Sequence, residues 1–234
     1  MSLAVSMVLG APRSWAAPIY VVGDDDLSAY SPAWHAILKE AGIDAQFITA
    51  QQAERRRLFV AGRLVADCCT IPEWRQRPEE QATQLYTNPF FYAVDHIVFK
   101  AGDPSPPTSG PDLRTRRVAT VTGFDYVGGD NFGTRVETES MNAALAAVAE
   151  GRADAVIVNV QEFMRLQRME HRPLTLGREY HRVNLRARVH KDYPQLVPRL
   201  NAAIVRLRRA GKVEALVGAA LRGAEKVGHT QTTP

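Results

Sequence analysis

The chain has 234 residues, 45% of them hydrophobic and 23% charged, enough apolar material to bury a sizeable core without disulfide or metal staples. That balance excludes a disordered, collagen-like or small disulfide-rich protein. The 29 Lys and Arg exceed the 25 Asp and Glu by a net +4, too small over this length to imply a nucleic-acid groove.

Leu3 to Leu9 form a short apolar run, followed by Gly10-Ala11-Pro12. Ser14-Trp15-Ala16 then places small residues before Ala17 at the spacing of a signal-peptidase site. The run is shorter than the ~20 residues that a bilayer span needs, and no Lys or Arg precedes it. Residues 1–17 therefore read as an export signal, with a plain N-terminal tail as the alternative. No later stretch is long and apolar enough to insert stably into a membrane.

Ile19 to Gly23 reads as a first buried strand, and Asp24-Asp25-Asp26 as the loop after it. Ser31 as N-cap and Pro32 at the first helical position open a helix that Gly42 ends. Ile43 to Ile48 is a second strand, Gln51 to Gly62 a second helix, and Leu64 to Cys69 a third strand. This β-α-β-α-β alternation implies a parallel sheet with helices on its faces. Cys68 and Cys69 are expected to be two small buried thiols, because ordinary bridges need Cα atoms further apart than one peptide step. An oxidised vicinal pair is the alternative. Zinc ligation has no supporting spacing.

A polar stretch from Trp74 to Pro89 leads into a long strand, Phe90 to Phe99. Gly102 to Pro111 holds four prolines, two glycines and two serines, a loop or linker. Arg117 to Val121 is a strand, with Thr122 to Tyr126 a loop. Ser140 caps a helix from Met141 to Glu150. Val156 to Val158 is a strand that stops at Asn159, followed by a helix near Gln161 to Met169 and a returning strand, Val183 to Val189. Leu196, Leu200, Ile204 and Leu207 then make one apolar helical stripe. Gly211 interrupts it, and Val213, Leu216, Val217 and Leu221 resume it on a second helix. Arg199, Arg206, Arg208 and Arg209 are expected to be a solvated face of the first.

Four segments together resemble the type II periplasmic solute-binding proteins, specifically the polar amino-acid transporter receptors of bacterial extracellular solute-binding protein family 3. They are Val21-Val22-Gly23-Asp24 through Gly42, Tyr86-Thr87-Asn88-Pro89-Phe90-Phe91-Tyr92, Gly151-Arg152-Ala153-Asp154-Ala155, and Lys191-Asp192-Tyr193-Pro194-Gln195-Leu196 with Asn201-Ala202-Ala203 and Gly211-Lys212. The likeness covers about residues 18–222. It implies an α/β fold of two lobes, each a mainly parallel sheet flanked by helices, with a ligand in the cleft between them. Lobe one would be 18–97 with 187–234, and lobe two 98–186. In open α/β sheets ligands sit outside the carboxyl ends of the strands, and hinged lobes close around them.

The resemblance also implies the binding residues. One arginine of the polar stretch, Arg75 or Arg77, would fork onto a ligand carboxylate. Arg75 is preferred because Trp74 beside it could shield the pair from water. Gly123, Phe124 and Asp125 occupy the family's anion-binding turn, with a bulkier and more acidic sequence than usual. Asn159 stands where amino-acid receptors place an Asp for the ligand ammonium, and supplies no full charge. Asp24 and Tyr30 would face the cleft, Tyr30 for stacking, and Thr70 would add a hydroxyl or backbone contact. Asp154 reads as a structural turn residue.

A receptor of this kind implies a small polar ligand, an amino acid or small carboxylate, and delivery to the membrane permease of an ABC transporter. It implies a periplasmic monomer with no cofactor and no nucleic-acid partner. No Gly-x-Ser-x-Gly elbow, Walker loop, Rossmann glycine fingerprint or zincin motif points to catalysis. The fold does host enzymes such as dehydratases of cyclohexadienyl acids, so that class and an orphan ligand-sensing module stay open as alternatives.

Overall fold

Residues 20–24 and 28–227 are described by a computed structural model. The export-signal segment 1–17 and the turn residues Asp25 and Asp26 lie outside them. Strands β1 (Tyr20–Asp24), β2 (Ala45–Thr49) and β3 (Ala66–Thr70) form the expected parallel ladder, with β1 in the middle. Helices α1 (Ser31–Glu40) and α2 (Gln52–Val60) make its crossovers. The cap of α1 differs from expectation by one residue: Tyr30 is the N-cap, and the Ser31 hydroxyl donates instead to Asp24 at 2.7 Å. Gly42 and Gly62 close the two helices at φ +64° and +71°, which glycine reaches without a Cβ clash. Trp34 is fully buried and donates its indole N–H to the Gly23 carbonyl, pinning α1 to β1. Burying a side chain as large as Ile37 or Leu38 beside it stabilises the fold by about 1.5–3 kcal/mol.

The polar stretch carries more structure than its composition announces. It contains a 3-10 turn at Pro72–Trp74, helix α3 (Pro78–Gln81) and strand β4 (Gln84–Tyr86). Elements of three and four residues are too short to show a period. Strand β5 (Phe91–Lys100) follows, and the second sheet is built on β6 (Arg117–Val121), β7 (Thr134–Thr138) and β8 (Ala155–Asn159). β7 is a polar, largely exposed strand at the end of the sheet, which is why no apolar alternation marks it. Helices α4 (Met141–Ala149) and α5 (Val160–Met169) flank this sheet, and the Ser140 hydroxyl caps α4 by accepting from Ala143 N–H at 3.2 Å.

Strand β9 (Leu174–His190) is 17 residues long and begins well before the expected Val183. Its first half is partly exposed and carries Arg178, Glu179 and Arg182, so polarity conceals it. β9 pairs with β5 in the second sheet and, further along, with β3 and β4 in the first. The strand order β2-β1-β3-β9-β5-β8-β6-β7 thus joins two lobes through two antiparallel crossover strands. In the second lobe Val98, Val156 and Val158 pack under α4 and α5, while Ile97, Ile157 and Ala155 fill the opposite face. That is the period-2 alternation of a sheet buried on both sides.

Helices α6 (Leu196–Arg209) and α7 (Lys212–Val227) return to the first lobe, with Leu196, Leu200, Ile204 and Leu207 in its core. The arginines of α6 do more than face solvent. Arg199 donates to the Ala41 and Gly42 carbonyls, and Arg206 pairs with Glu40 at 2.6 Å. They neutralise the carbonyl end of α1, where a cation is favoured.

Candidate ligand-binding site

A cavity of about 740 Å³ lies between the lobes. One wall comes from the first lobe: Tyr30, the start of α2, Cys69 on β3, and Trp74 and Arg75 on the 3-10 turn after it. The other comes from Phe124 to Val127 after β6 and from the first turns of α4 and α5. These parts lie at strand ends and helix starts because strands in each lobe run toward the cleft, and the crossover strands β5 and β9 add Asp95, Tyr180 and Leu185.

Under the first wall sits a buried cluster of guanidinium groups. Arg188 is fully buried, donates to Asp67 at 2.8 and 3.0 Å and to Glu80 at 3.2 Å, and stacks over Phe59. Arg56 grips Glu80 through two nitrogens. Arg55 bonds Gln52 and lies 3.8 Å from Asp67. Arg75 is held more loosely: it donates to the Trp74 carbonyl at 2.8 Å, while its Nε stays 3.7 Å from Glu80 with no hydrogen-bond partner. Burial first, then the neighbouring Arg188 and Arg56 cations, pulls the Arg75 guanidinium down to about 9. At neutral pH it is still charged, and the acid nearest it, Glu80, is already gripped by Arg56 and Arg188. A cavity wall of this kind attracts an anion. The dipoles of α4 and α5, whose first turns reach the cavity, act in the same direction.

Polar contacts cross between the lobes. Arg56 donates to the Gly123 carbonyl at 2.9 Å and pairs with Asp125 at 2.8 Å. The Tyr30 hydroxyl shares its one proton between the Asn159 oxygen at 2.9 Å and the Gln161 oxygen at 3.2 Å. Burial, with Glu162 and Asp95 nearby, holds this phenol well above its ordinary range, so it stays a donor. Asn159 also caps α5 by accepting from Glu162 N–H at 2.8 Å. Gly123 sits at φ +84° against the first turn of α2, where an added Cβ would meet the Ala53 backbone at 2.7 Å. Around this turn Thr122 N–H already donates to Thr138 and Phe124 N–H to Val121.

Of the residues singled out in the sequence, Tyr30, Trp74, Arg75, Phe124, Asp125 and Asn159 come together at the cavity. Asp24 is buried elsewhere, accepting from Ser31 and bound to His35 at 2.7 Å. Thr70 is buried and donates to the Ile71 carbonyl, and Arg77 is exposed at the start of α3. Gly123 stands behind the wall rather than on it. Asp154 does serve its turn, bonding the Arg117 backbone and guanidinium. The expectation of two free thiols is corrected: Cys68 and Cys69 form a vicinal disulfide, their Cα atoms 3.0 Å apart across a cis peptide bond. Cys69 contributes to the cavity wall.

Several cavity residues escaped sequence reasoning. Arg55 lies at the cavity, and Arg56 behind its wall on Glu80, in a helix of mixed polarity with no distinguishing spacing, and both are buried. Asp95 puts a carboxylate in the middle of a strand whose flanks, Phe91 to Val94 and Ile97 to Phe99, are apolar or aromatic, a break in pattern that could have marked it. It is buried at the cavity, and burial pushes its carboxyl up to about 7.

Two α/β lobes, crossover strands and an interlobe cavity define a two-lobed fold of the periplasmic-binding-protein kind. Solved structures share it. A histidine kinase sensor domain, described as similar to periplasmic binding proteins, is 21% identical with a TM-score of 0.73, over 87% of this chain and 95% of that one. An amino acid ABC transporter substrate-binding protein from Streptococcus pneumoniae, bound to L-arginine, is 15% identical with a TM-score of 0.74, over 88% and 95%. The L-cystine solute receptor of Neisseria gonorrhoeae, unliganded and open, is 16% identical with a TM-score of 0.57, over 87% and 92%. No family model matches the sequence, and neither does any curated protein. Among the described residues no helix is long and apolar enough to cross a membrane, and no cluster of three metal-binding side chains occurs.

Proposed function

We propose that the protein is an exported receptor that captures a small polar ligand bearing a carboxylate between its lobes and delivers it to the permease of an ABC transporter. Arg75 carries the reading: it is a buried cation at the cavity wall whose Nε has no hydrogen-bond partner and whose nearest acid, Glu80, is shared with Arg56 and Arg188. A ligand carboxylate satisfies both needs at once. In this reading 18–97 with 187–234 form one lobe and 98–186 the other, the chain acts as a periplasmic monomer, and it turns nothing over. The solute-binding proteins among its structural neighbours support a receptor over an enzyme.

A thermal-shift screen of the purified protein against amino acids, organic acids and amines tests the proposal, because a ligand that binds only the folded state raises the melting temperature. Carboxylate-bearing hits are expected, and NMR of each hit should show it unchanged. Conversion of a hit would move the assignment to an enzyme. N-terminal sequencing from the native host should find a mature start near Ala17 or Pro18 in the periplasmic fraction; an intact Met1 in the cytosol would refute export. The sensor-domain neighbour favours ligand sensing as a second reading, with the same capture step and a different recipient of the closed form.

A further inference from the structure

Asp95 brings a second charge to the cavity. It lies on crossover strand β5, in register with Asn159 on β8 and His181 on β9, and the ladder to β9 shifts register immediately after it. Such irregularities re-aim side chains beside binding sites. The residue is 9% exposed and lines the cavity, and among the described residues no hydrogen bond or ion pair engages its carboxylate. Its charge is felt by Tyr30, Tyr126 and Tyr180, all on the same cavity. A carboxylate buried among phenols without a cation is costly, and a ligand can supply the missing partner.

Other acids at the cavity are engaged or open to water. Asp125 pairs with Arg56 at 2.8 Å, Glu162 with Arg165 at 2.6 Å, and Glu139 is exposed. Asn159, where a cation-binding acid was expected, has both lone pairs of its amide oxygen taken by Glu162 N–H and the Tyr30 hydroxyl. Its remaining amide hydrogens can only donate, which suits no cation.

We infer that Asp95 is the counter-ion for a cationic nitrogen of the ligand, so the captured molecule is an amine-bearing carboxylate with its amine at the crossover strand. The inference rests on the receptor reading, which supplies Arg75 for the other end. It also gives the site a pH dependence. The groups that share the cavity with the carboxyl are the phenols of the loop before α1 (Tyr30), the loop after β6 (Tyr126) and β9 (Tyr180), with Glu162 and Arg165 on α5, and His181 stands across the ladder. Burial holds the three phenols above their ordinary range, so they stay neutral while Asp95 titrates. An ammonium binds the ionised carboxylate, so affinity falls as the pH drops below about 7.

The test compares the standard amino acids with the 2-hydroxy acids of the same carbon skeletons, by thermal shift and calorimetry, on wild type, Asp95→Asn and Asp95→Ser. Circular dichroism confirms folding of both variants. Wild type is expected to prefer the amine, and both variants to weaken its binding by at least about thirtyfold while changing the hydroxy acid little. The fall in amine affinity below about pH 7 should vanish in Asp95→Asn, which separates Asp95 from His181. Equal binding of the two members of a pair, or an unchanged amine affinity in both variants, overturns the inference and leaves the receptor reading standing. If no probe of either kind binds wild type, both fall.

Discussion

Arg75→Ala is expected to weaken binding of a carboxylate ligand by about 2–5 kcal/mol, because truncating one partner of a buried charged pair strands the other. Arg77→Ala should change it by well under about 1 kcal/mol, the range of a solvated side chain. The two arginines are two residues apart, yet Arg75 is buried at the cavity and Arg77 is exposed at the start of α3. Arg75→Lys should bind poorly as well, since an ammonium cannot reproduce a two-pronged contact. The ligand-free fold should tolerate Arg75→Ala, which removes a cation repelled by Arg188 and Arg56 and held by few partners. Calorimetry with a hit from the screen, alongside thermal melts, measures both quantities. Equal affinity in wild type and Arg75→Ala would take Arg75 out of the site, and a loss confined to Arg77→Ala would move the contact there.

Arg188→Ala should act on the fold instead, destabilising it by about 3–5 kcal/mol, the cost of breaking a buried ion pair from one side. Arg188 is fully buried with three hydrogen bonds to Asp67 and Glu80 and a face-on contact with Phe59. Its loss leaves Asp67 with Arg55 at 3.8 Å and no hydrogen bond from a guanidinium. The pH dependence follows from the sign of the Asp67 shift. Burial works to raise its carboxyl, but Arg55, Arg188 and Arg75 outweigh burial and hold it below the ordinary carboxylate range. A carboxyl lowered by folding contributes stability that is present above its unfolded value and lost as pH falls through its folded value. Wild type should therefore lose stability on acidification below about pH 4. The Arg188→Ala variant, already without the interaction, should show a shallower acid limb. Urea unfolding at neutral and acid pH reads both effects, and a variant as stable as wild type with the same acid limb would refute the role given to this cluster.

The order of strands and helices was legible in the chain because it rests on local chemistry. Short apolar runs, the Ser140 cap and the glycines at 42, 62 and 151 act over a few residues, and the β-α-β alternation they mark constrains the sheet to be parallel. The resemblance to the solute-binding proteins, not local chemistry, marks Trp74, Arg75 and Asn159 as positions of interest. Local chemistry could not find β4 or the first half of β9, whose strand character comes from pairing with segments distant in the chain rather than from their own pattern. Trp74 favours Arg75 over Arg77, but only the fold shows Arg75 buried beside Glu80 and Arg188 while Arg77 stays exposed at the start of α3. The partners of Arg188 lie 121 and 108 residues earlier in the chain, and Asp95 meets tyrosines from three distant segments. Charge placement in a cavity is a property of surfaces brought together by folding. Periodicity fixes which face of an element is buried, and only the packing of the two lobes decides which charges remain there without a partner.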